Sequence, residues 1–102
     1  MTVEFSSKPK TRHKAHLIGM FVAPEARGRG AARMLLDAAL AQCRAREEVT
    51  SVTLTVTDGN EPAIALYESV GFRSFGVEPM ALRTDGGYLS KVHMQLSLEE
   101  GV

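Results

Sequence analysis

The chain has 102 residues, twelve basic and twelve acidic, so its formal charge balances to zero. That length implies one small domain, and the balance gives no global attraction to nucleic acid or to a membrane surface. A single cysteine excludes an intrachain disulfide and fits a reducing cytoplasm, and no apolar run is long enough for a membrane span.

Thr2 to Ser6 reads as a short strand. Ser7 to Lys14 is polar and basic, is broken by Pro9, and reads as a hairpin tip. Ala15 to Val22 is a strand. Gly30 to about Arg46 is a helix, with Ala31, Leu35 and Ala38 beside Leu36, Leu40 and Cys43 as its apolar face. Cys43, at helical spacing from Leu36 and Leu40, reads as a small core residue. Val52 to Thr57 alternates apolar and threonine, as a half-buried strand does, and Asp58-Gly59 turns after it. Pro62 to Ser69 is a second helix. Phe72 to Val77 and Tyr88 to Leu98 are strands, with Asp85-Gly86-Gly87 turning between them. The order strand, strand, helix, strand, helix, strand, strand predicts an α/β (α+β) fold. A mixed central β-sheet carries flanking helices in one domain over residues 1–102.

Two segments carry chemistry. The first runs from the apolar Leu17-Ile18-Gly19-Met20-Phe21-Val22 through Arg27-Gly28-Arg29-Gly30 into the alanine- and leucine-rich helix. A helix start leaves its first N–H groups without internal partners and carries partial positive charge. Glycines let a phosphate come close to those N–H groups, so the turn offers a seat for a phosphorylated ligand. The spacing is neither a nucleotide loop ending in Gly-Lys-Ser/Thr nor a dinucleotide fingerprint, because Arg33 stands at the third glycine position. Taken alone, the turn is equally compatible with plain loop geometry.

The second segment is Asn60-Glu61-Pro62-Ala63-Ile64-Ala65-Leu66-Tyr67-Glu68-Ser69-Val70-Gly71-Phe72. Asn60 suits a cap, Pro62 a first helical turn, and Gly71 a helix end that needs a left-handed residue. The two segments together resemble the GNAT superfamily of acetyl-CoA-dependent N-acetyltransferases. Arg27 to Ala32 is similar to that family's Gln/Arg-x-x-Gly-x-Gly/Ala pyrophosphate loop. Asn60 to Phe72 is similar to its second motif, an Asn, an Ala, a Leu-Tyr and a Gly-Phe. The resemblance covers roughly residues 13 to 96.

The resemblance implies acetyl-CoA as cosubstrate, an amine-bearing acceptor and no metal. It places the backbone of Met20, Phe21 and Val22 along the pantetheine arm. It places the N–H groups of Arg27, Gly28, Arg29, Gly30, Ala31 and Ala32 on the pyrophosphate, with Asn60 also on the cofactor side. Arg29 and Arg33 are candidates for added charge near the phosphates. At Gly30 the expectation is that a side chain would fill the phosphate's space. Acetyl transfer needs a neutral amine, an oxyanion stabiliser (a backbone N–H near Met20) and an acid for the departing thiolate. Tyr67 stands at the family's position for that acid, against the plainer reading of a packed helix aromatic. His16 is the candidate base, against a hydrogen-bonded structural histidine; Glu4 and Glu25 are weaker candidates.

The family ordinarily has a strand, two helices and a further strand ahead of the hairpin that starts here. The implied acyl-CoA N-acyltransferase fold therefore lacks its N-terminal part, which leaves the acceptor wall open. An exposed edge or an uncovered apolar sheet face would then bring two copies into a homodimer. Two rival functions stand beside catalysis. One is a non-catalytic CoA-binding or interaction module. The other is a nucleic-acid binder built on Lys8, Lys10, Arg12, His13 and Lys14, which the balanced charge and the lack of interleaved aromatics disfavour.

Overall fold

The computed structural model describes residues 2–18 and 30–99. In chain order its elements are β1 (Thr2–Phe5), β2 (Lys14–Ile18), α1 (Ala31–Arg44), β3 (Ser51–Thr57), α2 (Glu61–Ser69), β4 (Arg73–Thr84) and β5 (Gly87–Ser97). This is the order expected from the sequence. The strands form one sheet in the order β1-β2-β3-β5-β4, in which β2 and β3 are parallel and every other pair is antiparallel.

Period-two alternation sorts the strands into two unlike faces. Ala15 and Leu17 of β2, Val52, Leu54 and Val56 of β3, and Val92, Met94 and Leu96 of β5 are buried on one face. Leu36, Ala39, Leu40 and Cys43 of α1, Tyr67 of α2, and Phe72 join them in one core. Both helices therefore cover the same face. Side chains of this size contribute ~1.5–3 kcal/mol each when fully buried. The opposite face is polar along the central strands, carrying His16, Thr53, Thr55, Thr57, Lys91, His93 and Gln95. Along the central strands the described sheet surface left bare by the two helices is thus polar, with the exposed Phe75 beside His93.

The apolar stripe of α1 is narrower than its sequence suggests. Leu36, Leu40 and Cys43 are buried with Ala39, whereas Leu35 and Ala38 face outward. β4 is longer than expected, reaching Thr84 rather than Val77, and is exposed along almost all its length. Two register shifts break its pairing with β5, between Ser74 and Gly76 and between Glu78 and Leu82. Such bulges bend an edge strand and spoil it as a template for further pairing.

The feature that matters most for function is the way β2 and β3 part. At their N-terminal ends they are cinched: the His13 carbonyl accepts from the N–H of both Thr50 (2.9 Å) and Ser51 (3.0 Å). The parallel pairing then runs for three positions only, ending at His16 and Thr53. β1 still pairs with β2 as far as Ile18, and β3 still pairs with β5 as far as Thr57. Beyond His16 and Thr53 each strand keeps its outer neighbour and loses its inner one. The sheet forks there.

Candidate functional site

The mouth of the fork lies at the C-terminal ends of two parallel strands. Each of these strands is followed by a helix, and open α/β sheets gather ligands at such ends. α2 starts four residues after the end of β3. α1 must run back to the start of β3. Near its end, the Arg46 guanidinium lies 3.8 Å from the centre of the Phe5 ring, beside the closed end of the fork. Fourteen residues of helix span about 21 Å, so the N-terminus of α1 lies towards the open end.

Among the described residues no side chain caps the start of α1, whose N-cap residue is Gly30, in the left-handed region at φ 78°. The first internal bond is donated by Met34 N–H to the Gly30 carbonyl at 3.0 Å. The N–H groups of Ala31, Ala32 and Arg33 therefore have no helical carbonyl to serve. No acidic residue occupies the first turn, so the positive end of the helix dipole is uncompensated there. The backbone gives a reason for glycine beside the one expected from the sequence. A Cβ added at Gly30 meets no heavy atom of the described residues within 4 Å, whereas the left-handed φ strains any L side chain. The Arg33 side chain is drawn along the helix by Asp37, with Nε donating to Oδ1 at 3.1 Å.

α2 begins at the same end. The Asn60 side chain accepts from Ala63 N–H at 3.4 Å, so its oxygen serves the helix. Gly71, at φ 109°, turns the chain at the far end of α2, where Phe72 N–H donates to the Tyr67 carbonyl at 3.1 Å. That turn drives Phe72 into the core, edge-on against Tyr67 with ring centres 5.9 Å apart. Tyr67 is buried, and burial pushes its phenol above the usual value, so the proton is held at neutral pH.

His16 lies on the other face of the sheet. It is the last residue of β2 paired with β3, and its Nδ1 is 2.8 Å from Thr53 Oγ1. Both residues line an open depression of about 410 Å³ with Glu4, Phe5, Ser6 and Thr11. Glu4 sits opposite His16 on β1. Tyr67 and His16 thus lie on opposite faces of the sheet. Met20, Phe21, Val22, Arg27, Gly28 and Arg29, together with Glu25, lie outside the described residues. Thr53 escapes the sequence reading, because alternation marks it only as a strand residue and the register alone puts it opposite His16. The Arg33–Asp37 pair was open to detection from its i,i+4 spacing.

The chain thus combines a sheet that parts between two parallel strands with a helix that starts towards the open end. The acetyltransferase (GNAT) family profile matches residues 2–72, and the chain belongs to that family. An N-alpha-acetyltransferase of Saccharolobus solfataricus is 33% identical over 69 residues, covering 68% of this chain and 41% of the relative. The ribosomal-protein-alanine N-acetyltransferase of Brucella melitensis superposes with a TM-score of 0.80 at 32% identity, covering 92% of this chain and 57% of that one. The yncA protein of Salmonella typhimurium, solved with its cofactor acetyl-CoA, gives 0.80 at 25% identity, covering 95% and 55%. The chain spans well under two thirds of the length of each.

Proposed function

We propose that this chain carries the acetyl-CoA side of an N-acetyltransferase, moving the acetyl group to a primary amine by direct attack. The observation that supports it most is the fork between β2 and β3, with the uncapped start of α1 at its open end. An extended pantetheine arm can lie in the gap as a strand would. The pyrophosphate fits the N–H groups of Gly30, Ala31 and Ala32, with Arg27, Gly28 and Arg29 preceding them in the chain and Asn60 a further candidate on the cofactor side. Acetyl-CoA is the cosubstrate in this reading.

The two faces divide the chemistry. A lysine-like ammonium, with a pKa of ~10.4, must lose a proton before it attacks the thioester carbonyl. His16, on the polar face, is the base that takes it. The carbonyl oxygen then becomes an oxyanion, for which a backbone N–H near Met20 is the candidate donor. Collapse of that intermediate breaks the C–S bond. Tyr67, on the helix-covered face, supplies a protonated phenol to the departing sulfur. Burial raises the phenol, so it keeps its proton until negative charge develops on the departing sulfur. The part of the relatives' length that this chain does not span is where a wall for the acceptor would be found. The similarity to an N-alpha-acetyltransferase and to a ribosomal-protein-alanine N-acetyltransferase favours a protein or peptide α-amine as acceptor.

Labelled acetyl-CoA with a panel of peptides bearing free N-termini, and of small amines, tests the reading. Transfer to a peptide is expected. Tyr67→Phe should lower kcat by ~10²-fold or more and leave CoA affinity within a factor of two. Binding without transfer to any amine would favour the rival reading, a CoA-binding module. A second copy is a further proposal. The outer edge of β1 and the exposed Phe75, Val77, Met80 and Leu82 of β4 are the surfaces on which a homodimer would form. A sedimentation coefficient that stays at the monomer value over a hundredfold range of concentration would reject it.

A further inference from the structure

We infer that Thr53 is a positioning residue for His16, fixing its imidazole as the Nδ1–H tautomer so that Nε2 is free to take the acceptor's proton. This rests on the reading of His16 as the base. Three observations carry it. Thr53 Oγ1 lies 2.8 Å from His16 Nδ1. The two residues are the last register pair before the strands separate, so the contact sits at the root of the fork, where neither strand can slide. Nε2 has no hydrogen-bond partner among the described residues, and His16 lines the open depression on the polar face.

The logic is one of donors and acceptors. A neutral imidazole carries one N–H and one lone pair. An ammonium only donates, so a ring that receives its proton at Nε2 must already hold hydrogen on Nδ1. A hydroxyl can accept that Nδ1–H; a valine in the same place cannot. When the proton arrives, the imidazolium has two N–H groups to satisfy, and Thr53 Oγ1 accepts one of them. The hydroxyl could equally donate to Nδ1, so the demand for a free lone pair on Nε2 is what sets this direction, and Thr53 Oγ1 then accepts from the imidazolium that the transfer forms. Ser51 and Gln95 satisfy each other instead, with Gln95 Nε2 donating to Ser51 Oγ at 2.7 Å, so Thr53 is left to the histidine. Glu4, across from His16 on β1, and Lys14, two positions along β2, are the charged groups on the same face nearest in register. Neither is hydrogen-bonded to the ring.

The ring nitrogens of His16 report the tautomer directly by ¹⁵N chemical shift and long-range proton correlation, at a pH where titration shows the ring neutral. In the unaltered chain Nδ1 is expected to be of the N–H type and Nε2 of the lone-pair type. Thr53→Ser should preserve that pattern, and Thr53→Val should lose the Nδ1–H preference. The same Val variant should lower kcat up to ~10-fold, the worth of one hydrogen bond, with KM for acetyl-CoA unchanged. Hydrogen on Nε2 in the unaltered chain overturns the proposal, whether or not the Val variant folds. So does a folded Val variant with an unaltered tautomer. If His16→Gln turns over at full rate while the tautomer pattern is as stated, the base assignment fails and the positioning contact stands.

Discussion

Gly30 shows how two separate demands for glycine can fall on one residue. Sequence reading asks for glycine because a phosphate needs room. The backbone asks for it because α1 begins from a left-handed residue, at φ 78°, where a Cβ is strained even in open space. Gly30→Ala should therefore destabilise the chain by ~1–2 kcal/mol in urea even with no ligand present. A variant as stable as the parent would show that the left-handed start is not fixed in solution. Cys43 and Tyr67 give a second test at this scale. Burial raises the thiol above its ordinary 9.0, with Arg44 pulling weakly the other way, and burial raises the phenol above its ordinary 10.0. Above pH 9 the unfolded chain sheds these protons before the folded one does. The folded state then binds more protons, and stability falls with rising pH. The contribution is whole below pH 9 and is lost as pH climbs through the raised folded values. In thermal melts, Cys43→Ala should flatten the decline between pH 9 and 10, and Tyr67→Phe should flatten it above pH 10.

Among the elements, α2 was the most legible. Its signals are local: Asn60 to cap, Pro62 in the first turn and Gly71 to end it, all in the places the sequence assigns them. Asn60→Ala should cost ~1 kcal/mol in a denaturant titration. A negligible change would mean that the 3.4 Å cap bond carries no weight. β4 was the least legible. Its bulges at Phe75 and at Pro79 to Ala81 break the alternation that marks a strand, so the pattern stops at Val77 while the pairing continues to Thr84. The apolar face of α1 was drawn too wide because Leu35 and Ala38 have the composition of a core but point away from it. The fork was not legible at all. Strand lengths can be read from alternation, but how far two parallel strands stay paired depends on neighbours remote in sequence.

At the scale of the whole molecule, the chain places acid and base candidates on opposite faces of one sheet. Tyr67 comes up through the helix layer, and His16 stands on the polar side. In the function proposed above they act on one substrate through the parting of β2 from β3. Family membership and the order of elements were readable from two short motifs, because those motifs encode turns and caps. The division between faces was not, since it depends on register across strands. Everything in the functional reading follows from one claim, that the fork and the start of α1 together hold acetyl-CoA. The direct measurement is a titration of the ¹⁵N-labelled chain with acetyl-CoA, followed at each backbone amide. The largest shifts are predicted at Gly30, Ala31 and Ala32, with smaller ones along Leu54 to Thr57 on the inner side of the fork. Saturating acetyl-CoA that leaves those amides unmoved, or moves only residues on the β4–β5 hairpin, would contradict it.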